Sequence, residues 1–352
     1  MIQNGITNFV SLLDNIMVGQ IGTEQMSGVA IVNQLIFVYN LCIFGGVSGA
    51  GIFTAQYFGQ KDDEGIRHTF RFKLWVSAIL TALVIVIFII GGESLIQIYL
   101  NGSSDGGDLA AALRYGRQYM LVMLCGLPAF MMVQTYASTL RECGETMVPM
   151  KAGVTAVLVN LVFNYLLIYG KFGFPELGVV GAAIATVLSN AVSAAILWGF
   201  LLKTDKVIRL EPKKLRIDGL CLKQILRIGV PAGVQSAMFS IANIVIQGAI
   251  NSLGTVVMAA SSAAYNIEVI TYDILNSFSQ ACTTFVGQNF GAGEIKRCKK
   301  TLLLCLLEGI ISLGVAIALI LFFGKSLLTI FNGDPQVVET GYIRLMLIMP
   351  SH

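Results

Sequence analysis

The side chains with chemistry to offer are carboxylates and amides set inside long apolar runs. Asp14 stands within the first such run, residues 1–19, in the stretch Asp14-Asn15-Ile16-Met17-Val18-Gly19-Gln20-Ile21-Gly22. A charge at the centre of a bilayer costs roughly 2.5–3.5 kcal/mol on insertion scales, so a carboxylate kept there is a functional-site candidate. Asn4, Thr7, Ser11 and Asp14 follow at spacings of three, four and three, which places them on one helix face. Such a face turns to a helix bundle or a water-filled cavity rather than to lipid. The alternative for Asp14 is a carboxylate that caps a neighbouring helix or pairs with a Lys or Arg. Against it, the other apolar runs are read as holding no basic residue well inside them.

Further polar stripes repeat the pattern. Ser236, Ser240, Asn243, Gln247 and Asn251 recur at helical spacing, as do Tyr265, Glu268, Tyr272 and Asn276. Asp273 is five residues beyond Glu268, roughly 140° around a helix of 3.6 residues per turn, so the two carboxylates need not face one space. Asn160 and Asn164 are one turn apart, and Asn33, Gln34 and Asn40 share another run. Isolated amides serve helix–helix hydrogen bonding, about 0.6–2 kcal/mol each, as readily as transport. Glu268 is a functional candidate on the same grounds as Asp14. The run Gly45-Gly46-Val47-Ser48-Gly49-Ala50-Gly51 lacks the Lys-Ser/Thr ending of a phosphate loop and reads as close helix packing. With only His68 and His352, and no Cys-x-x-Cys pair among seven cysteines, no catalytic triad, metal-ligand or redox constellation emerges.

The elements that must position these groups are membrane helices. The chain is 55% hydrophobic and 12% charged, against about 25% charged in soluble domains. A span takes about 20 apolar residues. Such runs occupy residues 1–19, 29–56, 72–92, 113–140, 152–170, 180–202, 224–251, 259–288, 301–323 and 337–352. This is an all-α polytopic membrane protein, not a membrane β-barrel, whose strands are half that length and alternate. Of the 23 basic residues, 18 are assigned to alternate connections, among them Lys61, Arg67, Arg71 and Lys73 after the second run, which the positive-inside rule makes cytoplasmic together with the N-terminus. The positive charge therefore belongs to loops and implies no nucleic acid.

An offset of 232 residues aligns Gly22–Ile98 with Gly254–Ile330 without a gap. It matches Gln56 with Gln288, Phe58 with Phe290 and Gly59 with Gly291, each copy ending a run before a basic loop. Repeats six runs apart keep one orientation, and substrate sites of such proteins lie between the halves. The expected organisation is an N-lobe over residues 1–202, a basic linker over 203–227 and a C-lobe over 228–352. The chain is expected to carry about ten of twelve helices and to be a fragment of a longer one.

Asp14–Gly22, Gln56-Tyr57-Phe58-Gly59-Gln60, Leu140-Arg141-Glu142-Cys143-Gly144-Glu145-Thr146 and Gly287-Gln288-Asn289-Phe290-Gly291-Ala292-Gly293 together resemble the multidrug and toxic compound extrusion (MATE) family. The resemblance covers nearly the whole chain. It implies twelve helices in two six-helix lobes that export organic cations and other amphiphiles in exchange for H⁺ or Na⁺, in the cell membrane and as a monomer. By position, Asp14 is similar to the family's first-helix acid. Asn160 and Asn164 fall on its Asn-x-x-x-Asp pair, with Asn164 replacing the acid and removing one titratable group. Glu268 is similar to the helix-eight acid of many bacterial members. The acid of another branch would fall near Phe239 or Ser240 and is absent.

The resemblance and the polar stripes assign proton or Na⁺ binding to Asp14, Asn160 and Asn164. They assign substrate or a second ion to Glu268, Asp273, Tyr265, Tyr272, Asn243, Gln247 and Gln34, with no cofactor beyond the coupling ion. The rival function is a flippase for a lipid-linked saccharide, which would need a large basic cavity where acids and amides stand instead. A membrane-embedded enzyme is disfavoured for want of a catalytic constellation.

Overall fold

The computed structural model describes residue 17, residues 23–101, 109–204, 253–331 and 333–351, and scattered positions between 223 and 250. Asp14 and Gln247 lie outside the described residues, as does most of the expected linker. Among the described residues, eight α-helices can be delimited, in order: α1 Thr23–Gln60, α2 Asp63–Asn101, α3 Leu109–Glu142, α4 Met147–Tyr169, α5 Val179–Lys203, α6 Thr255–Gly291, α7 Ile295–Phe331 and α8 Pro335–Ile348. No strand occurs among the described residues. Six of these helices are long and apolar enough to cross a membrane. At 1.5 Å per residue, the 38 residues of α1 reach about 57 Å, well past a hydrocarbon core of about 30 Å.

Local chemistry sets the helix ends. Gly144, at φ +82°, closes α3: its N–H donates to the Arg141 carbonyl (3.0 Å) and that of Glu145 to the Leu140 carbonyl (2.8 Å). The 232-residue repeat carries the same cap in both copies. Lys61 and Asp62 N–H groups donate to the Phe58 and Tyr57 carbonyls at 3.2 and 2.9 Å. Gly293 and Glu294 donate to the Phe290 and Asn289 carbonyls at 3.0 and 2.9 Å. The residue bent into the left-handed region is Lys61 in one copy (φ +59°) and Gly293 in the other (φ +77°). Before α8, the Asp334 carboxylate accepts from the Gln336 N–H at 2.9 Å, and Pro335 takes the first helical position, where its missing N–H costs nothing.

The described residues fall into two compact units, one within Ile6–Ala237 and one within Met238–His352. In the first, Val29, Val32, Leu35, Tyr39 and Ile43 form one buried stripe of α1 against Tyr119, Met120, Met123 and Leu127 of α3. A second cluster, near the α3–α4 turn, joins Ile66 and Phe70 of α2 to Tyr136 and Leu140 of α3 and Leu197 and Leu201 of α5. Cys143 belongs to it, and burial pushes its thiol pKa up to about 12, so it behaves as a small apolar residue. In the second unit Ala263, Ala264 and Ile267 of α6 pack on Ile320 and Leu328 of α7 and Leu345 of α8.

One expectation needs correcting. The connection after the second run is only Lys61-Asp62: α2 begins at Asp63, so Arg67, Arg71 and Lys73 are helical, and Lys73 is fully buried. Its first turns are amphipathic rather than apolar throughout. A search for continuous apolar runs therefore starts the helix too late.

Candidate functional site

Three polar constellations stand inside these helices. The first lies between α4 and α5. One turn separates Asn160 from Asn164, and both are buried. The Asn164 amide donates to Asn160 Oδ1 (3.2 Å), and the Asn160 amide donates to Thr186 Oγ1 of α5 (3.3 Å). Thr186 in turn donates to the Ala182 carbonyl at 3.1 Å. The two amides, one turn apart, are thus joined by a hydrogen bond, and Thr186 extends the pair to α5. At the end of α4, Tyr169 donates its hydroxyl to the Met17 carbonyl at 3.3 Å. Met17 stands three residues after Asp14 in the sequence, and the bond joins it to the helix that carries both asparagines.

The second constellation joins α6 to α8. Gly341 lets the two helices approach: a Cβ there would sit 3.3 Å from the Ala260 carbonyl oxygen. One turn on, the Arg344 guanidinium meets the Glu268 carboxylate as a fork, Nε to Oε1 at 2.9 Å and Nη2 to Oε2 at 3.1 Å. This overturns the expectation that the other apolar runs hold no basic residue deep inside. Arg344 lies within the run 337–352, but counting charges by connection left it unnoticed. Glu268 is thus an acid with a partner. Tyr265 and Tyr272, one turn to either side of it, are exposed. Asp273 is half-buried, Asn243 is exposed, and Gln34 is exposed on α1 in the other unit.

The third constellation was not expected. Lys73 of α2 donates to Ser138 Oγ (3.3 Å), Thr139 Oγ1 (3.4 Å) and the Glu142 carboxylate of α3. Gly51 of α1, in the glycine-rich run, faces that carboxylate so closely that a Cβ would strike it. Farther along, Thr135 donates to Ser77 Oγ (3.4 Å), and Tyr39 and Thr81 share a hydrogen bond of 2.8 Å. The second acid of the Leu140-Arg141-Glu142-Cys143-Gly144-Glu145 motif is Glu145, at the turn. The first, Glu142, is a clasp between three helices.

Intramembrane acids, amide pairs and a repeated helix cap describe a transporter without identifying one. The MatE family pattern matches residues 1–166 and 231–351. The chain belongs to the MatE family. It is accordingly a multi-pass membrane transporter of the MATE efflux kind. This MatE chain is 29% identical over 353 residues to the probable multidrug resistance protein NorM of Thermotoga maritima, covering 98% of the chain and 73% of that relative. It is 28% identical over 333 residues to an FAD transporter of Shewanella oneidensis, covering 94% and 71%. An outward-facing multidrug resistance MATE transporter of the MOP superfamily shares the fold, with TM-score 0.86 and 22% identity over 99% of this chain and 75% of that one. A MOP superfamily transporter from Pyrococcus furiosus does so with TM-score 0.84 and 21% identity, covering 99% and 75%.

Proposed function

We propose that the chain is a secondary active multidrug efflux antiporter. It exports cationic or amphiphilic organic compounds in exchange for H⁺ or Na⁺ by alternating access. Its organisation is an N-lobe over residues 1–202, a cytoplasmic linker over 203–227 and a C-lobe from 228, two six-helix lobes in the inner membrane with the N-terminus inside. The matched helix caps at Lys61 and Gly293 support the repeat behind this reading. The names of relatives such as the Thermotoga protein support drug export.

The observation that supports the mechanism is the Tyr169–Met17 bond, which joins a residue three positions after Asp14 in the chain to the end of the helix carrying Asn160 and Asn164. In this reading Asp14 takes H⁺ or Na⁺ from outside, with the amide and hydroxyl oxygens of Asn160, Asn164 and Thr186 as neighbouring ligands or hydrogen-bond partners. Neutralising the carboxylate removes the cost of enclosing a charge in a dry lobe, which favours the packed state over the drug-binding one. The two states must differ in affinity for both ion and drug, since a ligand that binds them equally shifts nothing. Glu268 meets the cationic substrate in the C-lobe, with the faces of Tyr265 and Tyr272 as cation–π partners.

Ethidium accumulation in bacteria stripped of their own pumps tests this reading. Cells making the full-length protein are expected to accumulate less dye than control cells. The Asp14→Asn variant, at matched membrane levels, is expected to lose that difference. Dye levels unchanged by the parent protein overturn drug export, and export that survives Asp14→Asn overturns the role of Asp14.

A further inference from the structure

Glu268 is the proposed seat of the transported cation, yet its carboxylate already holds a cation of the protein's own. Parallel N–H···O bonds from a guanidinium to a carboxylate are the strongest of the common side-chain pairings. We infer that Arg344 is an internal surrogate for the substrate: it occupies the Glu268 carboxylate and must be displaced when an organic cation binds there. The inference rests on the cation-export reading and deepens it by naming the residue that sets affinity in this lobe.

The contrast between the two intramembrane ion pairs carries the inference. Lys73 is sealed, with its side chain 0% exposed, and two hydroxyls hold it in addition to Glu142. Removing that lysine from its site would strand the largely buried Glu142 carboxylate and take a donor away from both hydroxyls. Arg344 is differently placed. Its side chain is 22% exposed and that of Glu268 11%, so the pair can be approached. Its guanidinium bonds Glu268 and no other described side chain. Two N–H groups of Nη1 are left to interact with whatever solvates the open side. A competitor therefore has one partner to win, not a network.

The surroundings suit that competitor. Tyr265 and Tyr272 lie three residues before and four after Glu268 on α6, and they are 56% and 50% exposed. Their spacing puts them on the same side of α6 as Glu268. A cation on Glu268 would thus have a negative charge below it and aromatic groups on the same helix face, the setting in which cation–π attraction adds to charge pairing. Arg344 supplies the same charge when substrate does not. The carboxylate then never stands bare in the membrane, where an unpaired charge is costly. Each export cycle becomes an exchange of one cation for another on Glu268, and affinity is the difference between the two. Substrates with a delocalised positive charge are the class that competes best, because they give up less hydration than a compact ammonium.

Equilibrium dialysis of tetraphenylphosphonium against the purified full-length protein in detergent tests this directly. Arg344→Gln removes the competitor and is expected to bind the probe about tenfold more tightly than the parent, or better, since hydrogen bonds to charged groups contribute enough to account for that factor. Glu268→Gln and the double variant are expected to bind more weakly than the parent and alike. Arg344→Lys, which keeps the charge but loses the fork, is expected to fall between parent and Arg344→Gln, and it serves if Arg344→Gln does not fold. Equal or weaker binding by a folded Arg344→Gln, or by Arg344→Lys in its place, overturns the inference and makes Arg344 a structural partner only. If parent and Arg344→Gln both fail to bind the probe, the inference also falls. Ethidium export, measured separately, then still decides the cation-export reading.

Discussion

Replacing Lys73 with Met is expected to be among the most destabilising single changes in the protein, about 3–5 kcal/mol. The lysine is completely enclosed between α2 and α3, and its ammonium is the counter-charge to the largely buried Glu142. Without it, Glu142 is a lone carboxylate wedged against Gly51 of α1 and must either take a proton or force the three helices open. Glu142→Met should do comparable damage from the other side by stranding the ammonium. The double variant, Lys73→Met with Glu142→Met, should recover most of the loss. A buried pair replaced by apolar side chains of similar volume is often neutral or better. The hydroxyls left behind keep acceptors of their own, because Ser138 and Thr139 both donate to the Thr135 carbonyl at 3.2 and 2.9 Å. Thermal unfolding of the purified protein in one detergent reads all three variants. A Lys73→Met protein that melts within a degree or two of the parent would show that water reaches the pair.

Gly28→Ala is expected to cost more than Gly116→Ala, although both glycines stand at the same crossing of α1 and α3. A Cβ on Gly28 would lie 2.6 Å from the Ala112 carbonyl oxygen and 2.8 Å from the Gly116 nitrogen. These are backbone atoms that cannot turn aside, so the helices must separate. A Cβ on Gly116 would meet the Gly28 carbonyl oxygen at 3.2 Å, a contact that a small shift relieves. Overpacking of this kind costs about 1–3 kcal/mol. Separation also lengthens the Tyr119–Asn33 hydrogen bond (3.1 Å) and the bond from Tyr39 to the Leu127 carbonyl (3.3 Å), both of which join these two helices. The ranking of unfolding temperatures is therefore parent, then Gly116→Ala, then Gly28→Ala, with Gly28→Val lowest. A reversed order of the two alanine variants would place the close contact elsewhere along α1.

Much of the helical framework can be read from the chain because membrane helices leave a strong signal: about 20 apolar residues in a row, with basic loops on alternate sides. The runs at 113–140 and 180–202 fall inside α3 and α5, and that at 152–170 overruns the end of α4 by one residue, Gly170. Asn160 and Asn164 could be paired from their four-residue spacing alone, since residues one turn apart share a face. The Gln-Tyr-Phe-Gly and Gln-Asn-Phe-Gly ends were legible as a repeat, and the structure adds that each closes its helix with the same two hydrogen bonds. Thr186 could not be found in this way. It joins Asn160 across 26 residues of chain and two helices, and nothing local marks it.

The sequence by itself determined that this is a helical membrane protein, where most of its spans run, and that rare polar groups inside them ask for an explanation. Those properties follow from composition and periodicity, which act over one or two turns. Only the tertiary structure decided what each charge does. Lys73 counted as a loop residue until α2 was seen to start at Asp63, and Glu142 looked like part of a motif until it was seen to hold that lysine. Glu268 looked like a lone acid until α8 brought Arg344 to it across 76 residues. The reason is electrostatic. The cost of a charge in a membrane depends on what lies within a few ångströms of it. That neighbour comes from another helix, at a distance along the chain that no spacing rule encodes.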